Sequence, residues 1–154
     1  MELQRGTTGF RHVDDAPLPS TDARQFRADL YLVAREVSAK VVYTPRRNPS
    51  GECSFYDALA EVDGLQIRIL LNVTHPLLAF ADDWVSVGSP IQFIDSHELG
   101  SAFSTLGRYS VLKPTILNMP VTKDVFSQLA EAEVEQMEYW KPNRIGDLIF
   151  NYWD

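Results

Sequence analysis

Apolar positions along this chain follow two periods, one near 3.6 and one of two. Phe26, Leu30, Val33 and Val37 are spaced by four, three and four, forming one stripe that predicts a helix over about 22–38. Asp22 stands at its N-cap, and Gln25, three residues on, completes the spacing of a capping box. Val41-Val42-Tyr43 then reads as a strand, and Pro45–Gly51 as a loop by composition. Cys53–Val62 and Leu65–Val73 read as two further strands joined by Asp63-Gly64, and Asp-Gly between two such runs is the strongest short hairpin signal. In the second strand Leu65, Ile67, Ile69 and Leu71 alternate with Gln66, Arg68, Leu70 and Asn72.

Beyond the hairpin the pattern is shorter-ranged. His75–Ala81 fits a strand or a short helix, 82–90 a turn region, and Ile91–Ile94 a strand. Ser96 can cap a helix over about 97–106 that buries Leu99, Phe103 and Leu106, although Gly100 weakens it. Pro114 and Pro120 exclude a continuous helix through 107–121. A last helix is expected over about 123–139, with Thr122 as cap and Phe126, Leu129, Ala130, Val134 and Met137 facing inward. Ile145–Tyr152 reads as a terminal strand or edge. The elements predict one α+β domain over 1–154: a mostly antiparallel sheet with two or three helices packed on it, and an irregular segment over 1–21, where Asp14-Asp15, Pro17 and Pro19 punctuate the chain.

Composition adds constraints. With 154 residues, 45% of them hydrophobic, the chain can bury a core without staples. Cys53 is the single cysteine, so no intramolecular disulfide forms, which fits a reducing compartment. The start of the chain lacks the apolar region of a secretory leader, and no apolar run approaches the roughly 20 residues of a membrane span. A cytoplasmic protein that does not contact the membrane is the expectation. The net charge of −7 is uneven: residues 1–50 carry eight basic and six acidic side chains, a balance of +2, and residues 51–154 carry six and fifteen, a balance of −9. Such a surface disfavours phosphate backbones, so no nucleic acid is expected as a direct ligand, and it suits either solubility or a basic protein partner.

Catalytic and metal chemistry find little support. His12, His75 and His97 are widely separated and none begins a ligand-spaced pair, so no metal is expected. Cys53 follows Glu52, whose charge opposes thiolate formation, and a small apolar filler is its expected role. There is no Gly-x-Ser-x-Gly elbow and no Gly-rich phosphate turn, and the adjacent carboxylates Asp14-Asp15 and Asp82-Asp83 fall in loops. No catalytic residue and no cofactor are expected. Arg46-Arg47 reads as a solvated basic pair.

Two features carry more information. Glu131, Glu135 and Glu138 fall at i, i+4 and i+7 on the last expected helix, with Asp124 about two turns earlier and Glu133 off the stripe. Like charges at this spacing cost a helix a few tenths of a kcal/mol each, so a basic partner would offset them; an ordinary solvated face is the plain alternative. Tyr139, Trp140, Phe150, Tyr152 and Trp153 then place five aromatics in the last sixteen residues. Phe150 fits a core position, whereas Trp140, Tyr152 and Trp153 stand at ends of elements, where aromatic anchors of interfaces sit.

The segment Tyr139–Asp154, about a tenth of the chain, resembles the C-terminal ends of small bacterial immunity proteins of contact-dependent inhibition and related polymorphic toxin systems. The resemblance implies a cytosolic, non-enzymatic inhibitor that occupies a cognate protein toxin, often a basic nuclease; it transfers no functional residue. The expected partner-binding residues are therefore those read above: Asp124, Glu131, Glu135, Glu138, Trp140, Tyr152 and Trp153. Two other classes stay open. A hydrolase or transferase would need a deep pocket gathering two of the three histidines with a carboxylate. A structural subunit could form a homodimer through an edge strand.

Overall fold

A computed structural model describes residues 1–47, 53–82 and 89–153. The first helix, α1 (Ala23–Glu36), forms where the stripe predicts it, with Phe26, Leu30 and Val33 buried. The Asp22 carboxylate accepts from the amides of Arg24 and Gln25. Gln25 does not reach back to complete a capping box; its side chain instead donates to Asp29, 3.0 Å away.

Strands β1 (Lys40–Arg46), β2 (Phe55–Val62), β3 (Leu65–Asn72), β4 (Leu77–Asp82) and β5 (Phe93–Ile94) run in that order as an antiparallel sheet. A sixth, β6 (Ser110–Val111), pairs parallel to β4. The Asp63-Gly64 turn holds φ at 52° and 79°, the double left-handed geometry of a two-residue hairpin, and it sets Val62 opposite Leu65. β1 is longer than its sequence pattern suggests. Arg46 belongs to the strand, not to a solvated loop: it pairs with Asp57 at 3.2 Å and lies 4.0 Å over the Tyr43 ring. Arg47 donates to the carbonyl of Cys53. Residues 48–51 of the expected loop and 83–88 of the expected turn region lie outside the described residues. Two register shifts, Pro45, and the charged ends Lys40 and Arg46 mark β1, features that discourage pairing along its outer edge.

The sheet is covered on both faces. On one, Ile67, Ile69 and Phe80 pack against α1 and against α2 (His97–Thr105), which buries Leu99 and Phe103. Ser96 stands at the α2 N-cap but makes no side-chain cap bond. On the other face, Phe55, Leu70 and Phe93 meet the C-terminal part of the chain: α3 (Pro114–Leu117), α4 (Glu131–Trp140) and α5 (Ile145–Ile149). Arg68 and Asn72, two of the three polar residues of β3, are thus 1% and 0% exposed, while Gln66 is exposed near the turn.

The C-terminal layer departs from the sequence pattern twice. The last long helix begins at Glu131, not near residue 123; residues 123–129 are turns closed by bonds such as Leu129 N–H to Phe126 O, 3.1 Å. Asp124 therefore lies outside the helix. Ile145–Ile149 is helical, not a strand: Ile145, Leu148 and Ile149 are buried at helical spacing, and the Asp147 carboxylate accepts from the Arg144 amide at the N-terminus. Gly146 sits where a Cβ would overlap the Phe93 ring and touch the Leu117 carbonyl at 3.1 Å. Glycine to alanine in a helix ordinarily gains about 1 kcal/mol. Here Gly146→Ala is expected to lose about 1–3 kcal/mol by overpacking, read as a lower denaturation midpoint with unchanged slope.

Asp29, 2% exposed, clamps α1 to the loop after α2. It takes both Nε and Nη2 of Arg108, at 3.1 and 2.6 Å, and the Tyr109 hydroxyl. Burial alone would raise its pKa, but the bonds from Arg108, Tyr109 and Gln25 outweigh burial and hold the carboxyl below its ordinary value. A depressed carboxylate contributes stability above its unfolded pKa and loses it as pH falls through the folded value. The stability gap between the wild type and Asp29→Asn is therefore expected to be full at neutral pH and to shrink below about pH 4, measured by denaturant midpoints across that range.

Candidate functional site

Helix α4 positions both features singled out in the sequence. Glu131, Glu135 and Glu138 share one exposed face, and Glu131 and Glu133 are the acidic residues of its first turn. His12, from the N-terminal segment, approaches Glu135 at 3.8 Å, with both side chains about half exposed. Such a surface pair contributes little. Asp124 does not extend the ladder.

The helix ends at Trp140. Lys141 adopts φ 50° as its cap, and the amide of Lys141 donates to the Met137 carbonyl. The chain then reverses through Pro142 into α5 and returns along Phe150–Trp153. A cleft of about 520 Å³ lies here, lined by Trp140, Tyr152 and Trp153 together with Pro90 and Ile91. Three expected binding residues are thus brought into one concavity. The Trp140 and Trp153 rings are parallel within 1°, with centroids 6.4 Å apart. Tyr139 meets Trp140 edge-on at 5.1 Å, and Phe10 meets Trp153 at 6.2 Å, so the aromatic row continues on both sides. Tyr139 is 76% exposed and Trp140 39%.

The rings are held in place by polar contacts. The Trp140 indole N–H donates to Gln136 at 3.2 Å. The Trp153 amide donates to the Asn151 side chain, which in turn donates to the Thr8 and Leu148 carbonyls. Tyr152 packs edge-on against Phe55 at 5.2 Å. Burial raises its hydroxyl pKa above the ordinary value, with the charge of Arg68 opposing. Arg144, at the cleft wall, is taken up by a two-point pair with Asp147, at 2.7 and 3.2 Å, and lies 5.1 Å over the Phe93 ring.

A buried polar network that the sequence pattern does not announce ties the N-terminal segment, the sheet and the C-terminal layer together. Asn72 donates to the carbonyls of Thr7 and Ile149 and accepts from Thr74 and His75. Ser54 donates to Ile149 and accepts the Asn151 amide. Glu133, 0% exposed, accepts from the amides of Gly6, Thr8 and Ala130 and from the Thr8 hydroxyl, at 2.8–3.0 Å. The N-terminal segment, irregular as expected, is therefore docked. Arg68 pairs with Asp57 at 3.0 Å, and Asp57 also takes Arg46. In the sequence these residues look like solvated polar positions, and only their spacing on β3 and at the third position of α4 hints otherwise.

The three histidines are not gathered. His12 faces Glu135, His75 contacts the Arg5 carbonyl at 2.8 Å, and His97 is exposed at the start of α2. No metal-holding cluster of His, Cys, Asp or Glu occurs among the described residues. Cys53 is buried, its thiol directed at the Phe55 carbonyl. Among the described residues no helix is long and apolar enough to cross a membrane. Comparison with protein-family models, with curated proteins and with solved structures found no match.

Proposed function

We propose that this protein is a non-enzymatic inhibitor of the immunity type, which binds a basic protein toxin through the exposed face of α4 and the aromatic cleft at its end. The observation that carries this reading is the juxtaposition: an acidic stripe, Glu131, Glu135 and Glu138, leads along one helix to a cleft walled by Trp140, Tyr152 and Trp153. Protein interfaces combine aromatic residues at a desolvated centre with a polar rim. The acidic rim would steer a basic partner and speed encounter, while the rings hold it once docked. In this reading the inhibitor works in the cytosol of the cell that makes it.

Capture from lysate of that cell at low and high salt tests the reading. One stoichiometric basic partner, released at high salt and inactivated when bound, is the expected result. An acidic partner, or none at either salt, would remove it and turn attention to a homo-oligomer or an enzyme.

A further inference from the structure

We infer that the aromatic cleft takes the side chain of an arginine presented by the partner protein, an inference that rests on the proposed basic-partner reading. Three features converge at the end of α4. Trp140 and Trp153, stacked parallel with centroids 6.4 Å apart, both line the cleft, and an indole face attracts a cation through its quadrupole. The helix ends there, so the negative pole of its dipole points into the region, and its last turn holds no basic side chain. Glu135 and Glu138 lie on the final two turns. Against these stand Lys141 and Arg144 in the cleft lining. Arg144 is neutralised by its two-point pair with Asp147, which leaves the exposed Lys141 as the charge opposing a cation. A planar guanidinium stacks on an indole face better than an ammonium does, which favours arginine over lysine.

The test titrates the full chain, labelled with ¹⁵N, with blocked tetra-arginine, tetra-lysine, tetra-citrulline and tetra-glutamate peptides, following the indole N–H signals of Trp140 and Trp153. Tetra-arginine is expected to shift both saturably, tetra-lysine to bind more weakly, and uncharged tetra-citrulline not to bind. Trp140→Ala or Trp153→Ala should weaken tetra-arginine by about tenfold or more. Lys141→Gly keeps the left-handed cap and removes the opposing charge, so it should tighten binding about two- to threefold in low salt. Equal binding of citrulline, preference for glutamate, weakening by Lys141→Gly, or no indole shift at millimolar peptide would each overturn the inference. A captured basic partner that still binds Trp140→Ala with unchanged affinity would likewise remove it while leaving the basic-partner reading intact.

Discussion

Replacing Glu133 by alanine is expected to destabilise the protein by about 4 kcal/mol and to lower its melting temperature by about 8–16 °C. The carboxylate is fully buried and accepts four hydrogen bonds, from Gly6, Thr8 twice and Ala130. Truncation leaves all four donors without that acceptor, and a buried donor left unsatisfied costs about 1–3 kcal/mol. The sum is capped because the N-terminal segment can undock and hydrate its amides. Glu133→Gln should lie between, since its one oxygen still accepts while its NH₂ faces N–H groups. Calorimetry gives the midpoint, and hydrogen exchange should show the Gly6 and Thr8 amides opening before the rest. A shift below about 2 °C would contradict this account of the segment's docking.

Asp57→Ala is the second large effect, expected to cost about 3–5 kcal/mol because it takes the carboxylate from a buried guanidinium. Arg68 is 1% exposed, whereas Arg46 is 61% exposed at its side chain and simply returns to water. The double replacement Asp57→Leu with Arg68→Met should recover most of the loss, because apolar groups of similar volume need no counter-charge. Denaturant midpoints for the single and double variants check this. A double variant as unstable as the single would show that the site demands a charge pair.

Why some elements were legible and others were not follows from what each pattern encodes. α1 was readable because its stripe faces one way and Asp22 caps it without help from distant residues. The Asp63-Gly64 hairpin was readable because a two-residue turn fixes its own register. The start of α4 is not, because Phe126 and Leu129 sit at helical spacing yet pack from successive turns, and Glu133, which caps the Ala130 amide locally, also binds Gly6 and Thr8 some 125 residues away. α5 is hidden in the sequence because Ile, Phe, Tyr and Trp favour strands, while the deciding contacts, Gly146 against Phe93 and Asp147 against Arg144, are tertiary or side-chain specific. Alternation on β3 marks a strand, but it hides that Arg68 and Asn72 face a second buried layer. Of the expected site, Glu131, Glu135 and Glu138 share a face because helical spacing alone decides it. That Trp140, Tyr152 and Trp153 converge depends on the chain reversal at Lys141. Asp124 fell away once the helix began later.

Association kinetics with the captured partner would show whether the acidic face of α4 recruits a basic protein. The wild type would be compared with Glu131→Lys/Glu135→Lys/Glu138→Lys across a range of salt. The association rate of the wild type is expected to fall steeply with ionic strength, and the triple variant to be slower by about tenfold or more at low salt, with its folding intact. Rates insensitive both to salt and to the three reversals would contradict that recruitment.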